Sequence, residues 1–227
     1  MRILIVAPDG DLQNLAELIE AVGENIATPL RGTVTARELL QRLRSEQFDA
    51  VHFAGHGESM ELGLSDGPLS IELLSSAIQE GTHPRLMFFN ACASLPAAAS
   101  LHGYGVGYTI GWRQDEVPDN AASSFAVTFY NSLRLNGGNV RRAFDSAIDM
   151  MRRHFPDVEE PIVINGRMAA LLAEVAGWDE GVEQPGTDLG QVVPRTANLE
   201  CRDRAALAGI ADGVAGRQRG QPLAQAV

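Results

Sequence analysis

The sequence predicts an α/β protein built on a mostly parallel sheet sandwiched between helices, followed by an irregular C-terminal extension. Three observations carry that expectation. Ile3–Ala7 and Leu86–Phe89 are short runs of large apolar residues, the composition of strands buried on both faces of a parallel sheet. Amphipathic segments of helical period separate such runs, as parallel crossovers require. Two runs then stop at residues able to do chemistry: Val51–Ala54 leads into Gly55-His56-Gly57, and Leu86–Phe89 into Asn90-Ala91-Cys92. In open α/β sheets the carboxyl ends of the strands hold the sites.

In chain order, Ile3–Ala7 reads as the first strand, and Leu12, Leu15, Leu18, Ile19 and Val22 as the face of a helix ending near Gly23. Pro29–Thr33 breaks the pattern. Thr35 caps a second helix, with Glu38 three residues on and Leu39, Leu40 and Leu43 on its apolar face. Asp49–Ala54 returns to strand. Leu62–Leu69 alternates around Asp66-Gly67, a hairpin signal, and Ser70 caps a helix running to Gln79. After Cys92 a helix covers Ala97–Leu101, a strand Val106–Trp112, and a polar acidic loop Arg113–Asn120. Helices at Ala121–Leu135 and Val140–Arg153 and a last strand at Pro161–Asn165 complete residues 1–176, the expected domain. Gly, Pro, Asp, Glu and Gln then dominate. Residues 177–227 are accordingly read as a linker and a short helical arm, the latter over Cys201–Arg217.

Composition narrows the function classes. A formal net charge of -11 argues against nucleic acid or an anionic membrane as the partner. All 18 basic residues are Arg, which rules out Lys Schiff-base chemistry and a P-loop lysine. The two cysteines, Cys92 and Cys201, form no Cys-x-x-Cys pair, so neither a metal site nor a disulfide framework is expected, and no cofactor. Ile3–Ala7 is too short for a signal sequence and no apolar run spans a bilayer, so a cytoplasmic location is expected.

Cys92 and His56 suit nucleophilic catalysis. Cysteine attacks as thiolate, and a free thiol of pKa about 8.5 needs a neighbouring imidazole or helix terminus to favour that form. The imidazole then returns a proton to the leaving amine. The backbone N–H groups of Gly57 and Cys92, both just past strand ends, are the candidate oxyanion donors. His52 is expected to pack on a helix; His83, His102 and His154 are expected to be solvated, and Cys201 to be a bystander.

The blocks Val51-His-Phe-Ala-Gly-His-Gly57, Leu86-Met-Phe-Phe-Asn-Ala-Cys92 and Gly111-Trp112, with Phe125-Ala-Val-Thr-Phe-Tyr-Asn-Ser-Leu133 beyond them, resemble the CHAT family of caspase-like cysteine peptidases over about residues 1–170. The resemblance implies a caspase-hemoglobinase fold, His56 as general base and Cys92 as nucleophile. It further implies cleavage of a partner protein, gasdermin-like or another effector encoded nearby, in a prokaryotic defence or programmed-death system. A separate sensor or recruiting protein would bring the substrate. In related enzymes that cut after Arg or Lys, an Asp lining the specificity pocket stands two residues before the cysteine. Asn90 holds that position here and is neutral. Asp115, Glu116 and Asp119 are read either as carboxylates that supply charge there or as an ordinary solvated acidic loop, and Trp112 is read as a wall of the pocket, with a cap on the core as the alternative. The competing functional reading is a catalytically silent CHAT scaffold that binds partner proteins.

Overall fold

The computed structural model describes residues 1–8, 15–23, 26–58 and 60–165. The expected domain boundary at 176/177 and the C-terminal arm, with Cys201, lie outside them. Met1–Gly166 forms one compact unit.

Nine strands and six helices are described. The main sheet has the order β2-β1-β3-β7-β8-β9, formed by β1 (Ile3–Pro8), β2 (Leu30–Gly32), β3 (Ala50–Ala54), β7 (Leu86–Asn90), β8 (Tyr108–Gly111) and β9 (Ile162–Asn165). All neighbours are parallel except β8 and β9. The central strands are buried along their whole length, as their unbroken apolar runs require. A second, three-stranded antiparallel sheet, β4 (Gly57–Glu58), β5 (Glu61–Leu64) and β6 (Gly67–Ser70), follows β3. Its β5–β6 turn is the expected hairpin, with Gly67 at φ 122° in the left-handed region a glycine tolerates.

Helices cover both faces. Helices α1 (Leu15–Val22), α5 (Asp119–Leu135) and α6 (Val140–His154) pack with Ile3, Ile5, Leu86, Phe88 and Ile110 in one core. Helices α2 (Ala36–Ser45), α3 (Ile71–Glu80) and α4 (Leu95–Gly103) take the other side. The sequence caps behave as read: Thr35 Oγ1 accepts from Glu38 N at 3.2 Å and Ser70 Oγ from Leu73 N at 3.4 Å. No described helix is long and apolar enough to cross a membrane.

Three sequence expectations are corrected. Pro29–Thr33 contains β2 rather than a plain break, because three residues suffice when β1 already offers its edge. The strand expected at Val106–Trp112 is shorter, ending at Gly111, since Trp112 turns away to pair with Ser94. His102 is half-buried rather than solvated, and desolvation at the end of α4 lowers its pKa.

His52 packs on α5 as expected. Its ring meets Phe88 edge-on at 4.6 Å and its Nδ1 lies 3.2 Å from the Tyr130 hydroxyl. Complete burial lowers its pKa from 6.5 to about 3, because the charged ring has no water to solvate it. The unfolded chain therefore binds this proton below about pH 6.5 and the fold only near pH 3. The contribution of His52 is fully present above pH 6.5 and is lost progressively as pH falls toward 3. Urea titrations across that window should show a stability slope of up to about 1.4 kcal/mol per pH unit that His52→Phe removes. An identical slope in both proteins would show that His52 is not its source.

Candidate active site

The register of β3 on β7 places the strand ends that lead to His56 and Cys92 side by side. The last residue pair is Ala54↔Asn90, so His56 and Cys92 each lie two residues past it. Parallel neighbours run about 4.8 Å apart, and Gly55 N still bonds Asn90 O at 3.4 Å beyond the last pair. The two turns then close on each other: a Cβ at Gly57 would stand 3.0 Å from Ala91 Cβ and 3.2 Å from Cys92 O. Glycine is needed there because the Cys92 turn occupies the space of a side chain. His56 is exposed and Cys92 half-buried. The backbone of His56 is anchored to β5 by Gly63 N–H on its carbonyl, 2.9 Å.

The Cys92 turn is unusually constrained. Ala93 takes φ 48°, a left-handed conformation rare for a residue with a side chain. Fully buried Ser94 holds the turn from inside: Oγ lies 2.6 Å from Ala91 O and accepts from Trp112 N at 3.1 Å. Ala93 N–H bonds Gln114 O and Leu95 N–H bonds Trp112 O, each at 2.9 Å. Gly111 is required by the same closeness, since a Cβ there would meet Ser94 O at 2.9 Å.

Asn90 and Trp112 are brought together, but inside the protein. The Trp112 indole N–H donates to Asn90 Oδ1 at 3.0 Å, and Asn90 Nδ2 donates to Ala122 O at 3.2 Å. Trp112 has no exposed surface and stacks edge-on against Phe125. It therefore caps the core and walls no open pocket, the second of the two readings from sequence. The Asn90 amide is engaged at both ends and only 6% exposed. Its oxygen answers an indole rather than solvent.

The acidic candidates divide. Asp115 and Glu116 lie between two points where the loop touches the Cys92 turn, Gln114 O on Ala93 N and Val117 N on Cys92 Sγ at 3.4 Å. Both are exposed. Asp119 is also exposed but opens α5, beyond Pro118. Sequence reasoning missed Ser94, Ala93 and Val117. A serine two residues past the cysteine and just before Leu95-Pro96 was a visible turn signal; a backbone donor such as Val117 N–H leaves no signal in residue type. Among the described residues no group of three or more His, Cys, Asp or Glu is arranged to hold a metal.

A mostly parallel α/β sheet with a histidine turn and a cysteine turn on adjacent central strands fits the caspase-like class of folds. Comparison with known proteins agrees. The chain belongs to the CHAT-domain family, whose model matches residues 6–158. Among solved structures it is similar to a secreted C11 cysteine protease from Bacteroides thetaiotaomicron, in complex with an irreversible peptide inhibitor. The TM-score is 0.52 at 14% identity, covering 77% of this chain and 69% of that one. It is also similar to the Arg-specific cysteine proteinase gingipain R, with TM-score 0.50 and 13% identity, over 72% of this chain but only 46% of the gingipain chain. At these identities the likeness is one of fold. No curated protein matches the sequence.

The close packing around Cys92 is testable through its glycine. Gly57→Ala should cost about 1–3 kcal/mol by overpacking, seen as a lower urea midpoint at unchanged slope. Gly103→Ala, where a Cβ meets nothing within 4 Å, should stay within about 0.5 kcal/mol of wild type. Equal effects at the two positions would contradict the packing described.

Proposed function

We propose that the chain is a cysteine endopeptidase working through a His56/Cys92 dyad. The observation that carries this is the convergence of the two strand-end turns, with Gly57 packed on the Cys92 carbonyl across a register that ends at Ala54↔Asn90. Position comes first in such chemistry, because a pre-oriented nucleophile and base avoid the entropy of bringing them together.

In this reading the His56 imidazole takes the thiol proton and Cys92 Sγ bonds to the scissile carbonyl carbon. The carbonyl π electrons move to oxygen, and the N–H groups of Gly57 and Cys92 are the proposed donors to that oxyanion. Collapse breaks the C–N bond as the imidazolium gives its proton to the leaving amine. A thioester to Cys92 remains. Water, deprotonated by His56, then releases the carboxylate and restores the thiol. Each residue is used twice, and no metal or redox partner is needed to balance the steps.

Selection of the scissile bond falls to the loop bearing Asp115 and Glu116 rather than to Asn90, whose amide is spent on Trp112 and Ala122. Asp119, at the start of α5, is proposed to add to the same acidic field. Membership of the CHAT family motivates a further proposal. The substrate is a partner protein delivered by a separate recruiter, in a defence or programmed-death setting.

A peptide library incubated with the full chain should be cleaved by wild type and left intact by Cys92→Ala. His56→Ala should lower turnover by about 10²–10⁴, the range for loss of a general acid–base group. A thiol-directed peptidyl inhibitor should label Cys92 far faster than Cys201. Equal slow labelling of both cysteines, with no peptide cleaved, would favour the silent scaffold.

A further inference from the structure

We propose that the backbone N–H of Val117 belongs to the catalytic machinery: it holds the Cys92 sulfur in its attacking direction, and the segment from Trp112 to Pro118 serves as the clamp that keeps it there. The proposal rests on Cys92 being the nucleophile. Val117 N donates to Cys92 Sγ at 3.4 Å, from a loop otherwise remote in sequence.

The clamp is tied at both ends. At its root, Trp112 N–H bonds Ser94 Oγ at 3.1 Å and the indole bonds Asn90 Oδ1 at 3.0 Å. Trp112 O and Gln114 O accept from Leu95 and Ala93, one on each side of Ser94. At its far end, Pro118 O accepts from Ala121 N at 2.9 Å and Ala122 N at 3.0 Å, fixing Val117 to the first turn of α5. Asn90 spans the two ends, because its Nδ2 reaches Ala122 O at 3.2 Å. From outside, Arg113 pairs with Glu159 at 2.9 Å, and Glu159 N–H bonds Gln114 Oε1 at 3.2 Å. Val117 cannot leave the sulfur without straining several of these bonds together.

The chemical need is directional. A cysteine side chain has three staggered χ1 wells, and a half-buried sulfur at the end of a turn has room to leave the productive one. A donor fixed in space selects one well and leaves the carbonyl carbon of a substrate to approach from the open side. The contact that this loop makes with Cys92 Sγ comes from its backbone, at Val117 N–H.

Val117→Pro deletes the donor, and Gly103→Ala, at the far end of α4 where a Cβ meets nothing within 4 Å, is the control. In the full chain, alkylation of Cys92 by iodoacetamide is followed by mass spectrometry of its peptide, with Cys201 in the same digest as the reagent control. Val117→Pro should label Cys92 about three- to tenfold more slowly than wild type, the worth of one net hydrogen bond, while Cys92 in Gly103→Ala and Cys201 in every variant stay within about twofold. On any peptide the enzyme turns over, kcat should fall with KM unchanged. General loosening of the fold would speed labelling, so slowing is not what a merely structural role produces. Unchanged labelling in Val117→Pro overturns the proposal, and so does faster labelling, which would mean that the contact shields the sulfur. If Val117→Pro does not fold, Trp112→Phe decides instead: it deletes the indole bond at the clamp's root, together with part of a fully buried ring, and leaves the Val117 N–H in place. Slower Cys92 labelling there supports the clamp and an unchanged or faster rate refutes it. Alkylation requires no peptide hydrolysis, so a failure of the peptidase reading is recognised separately by the absence of turnover.

Discussion

Five parallel residue pairs, Ala50↔Leu86 to Ala54↔Asn90, join β3 to β7, and the site depends on that register. His56 and Cys92 stand at the same distance beyond the last pair, so alignment of the strands is alignment of the proposed dyad. The register is strongly specified because both strands are buried along their whole length. A slip of one residue would exchange the faces of every side chain and drive His52 and Phe88 away from the Tyr130 face of α5. The aromatic cluster on that face, Phe88 with Phe125, Phe129 and Tyr130, thus supports the site through the sheet. It holds the strands that hold the turns.

Beyond the strand ends, apolar packing gives way to a chain of hydrogen bonds. Asn90, Ser94 and Trp112 are almost wholly buried, and the bonds of their polar heads compensate the loss of water. That network fixes a turn whose own conformation is unfavourable, with Ala93 at positive φ. Local strain of this kind costs about 1–3 kcal/mol and persists only where its surroundings over-determine it. Here they do. Gly57 and Gly111 contribute by absence, since each leaves the space that Cys92 O or Ser94 O fills.

Much of the fold was legible because its signals are local. Unbroken apolar runs marked β1 and β7, and serine or threonine ahead of helical periodicity marked the starts of α2 and α3. Asp66-Gly67 marked the hairpin. The missed pieces, β2 and β4, are three and two residues long, and such strands exist only because a neighbour supplies their partners. In the site, His56 and Cys92 could be picked out by residue type and by their place after strands. Trp112 could not be assigned to pocket or core, because an aromatic residue after a strand suits either, and only its neighbours Asn90 and Phe125 separate the two.

By itself the sequence determined the strand–helix alternation, the two strands that end in His56 and Cys92, the family those blocks resemble and the neutral character of position 90. These follow from side-chain chemistry and periodicity, which are properties of single residues and short windows. Tertiary structure alone decided that Asn90 faces Trp112 and Ala122, that Gly57 touches the Cys92 carbonyl, and that the Val117 N–H reaches the sulfur. The physical reason is that these are contacts between backbone groups or between residues far apart in the chain. Every residue except proline carries the same backbone donor, and only the fold chooses which one meets the Cys92 sulfur.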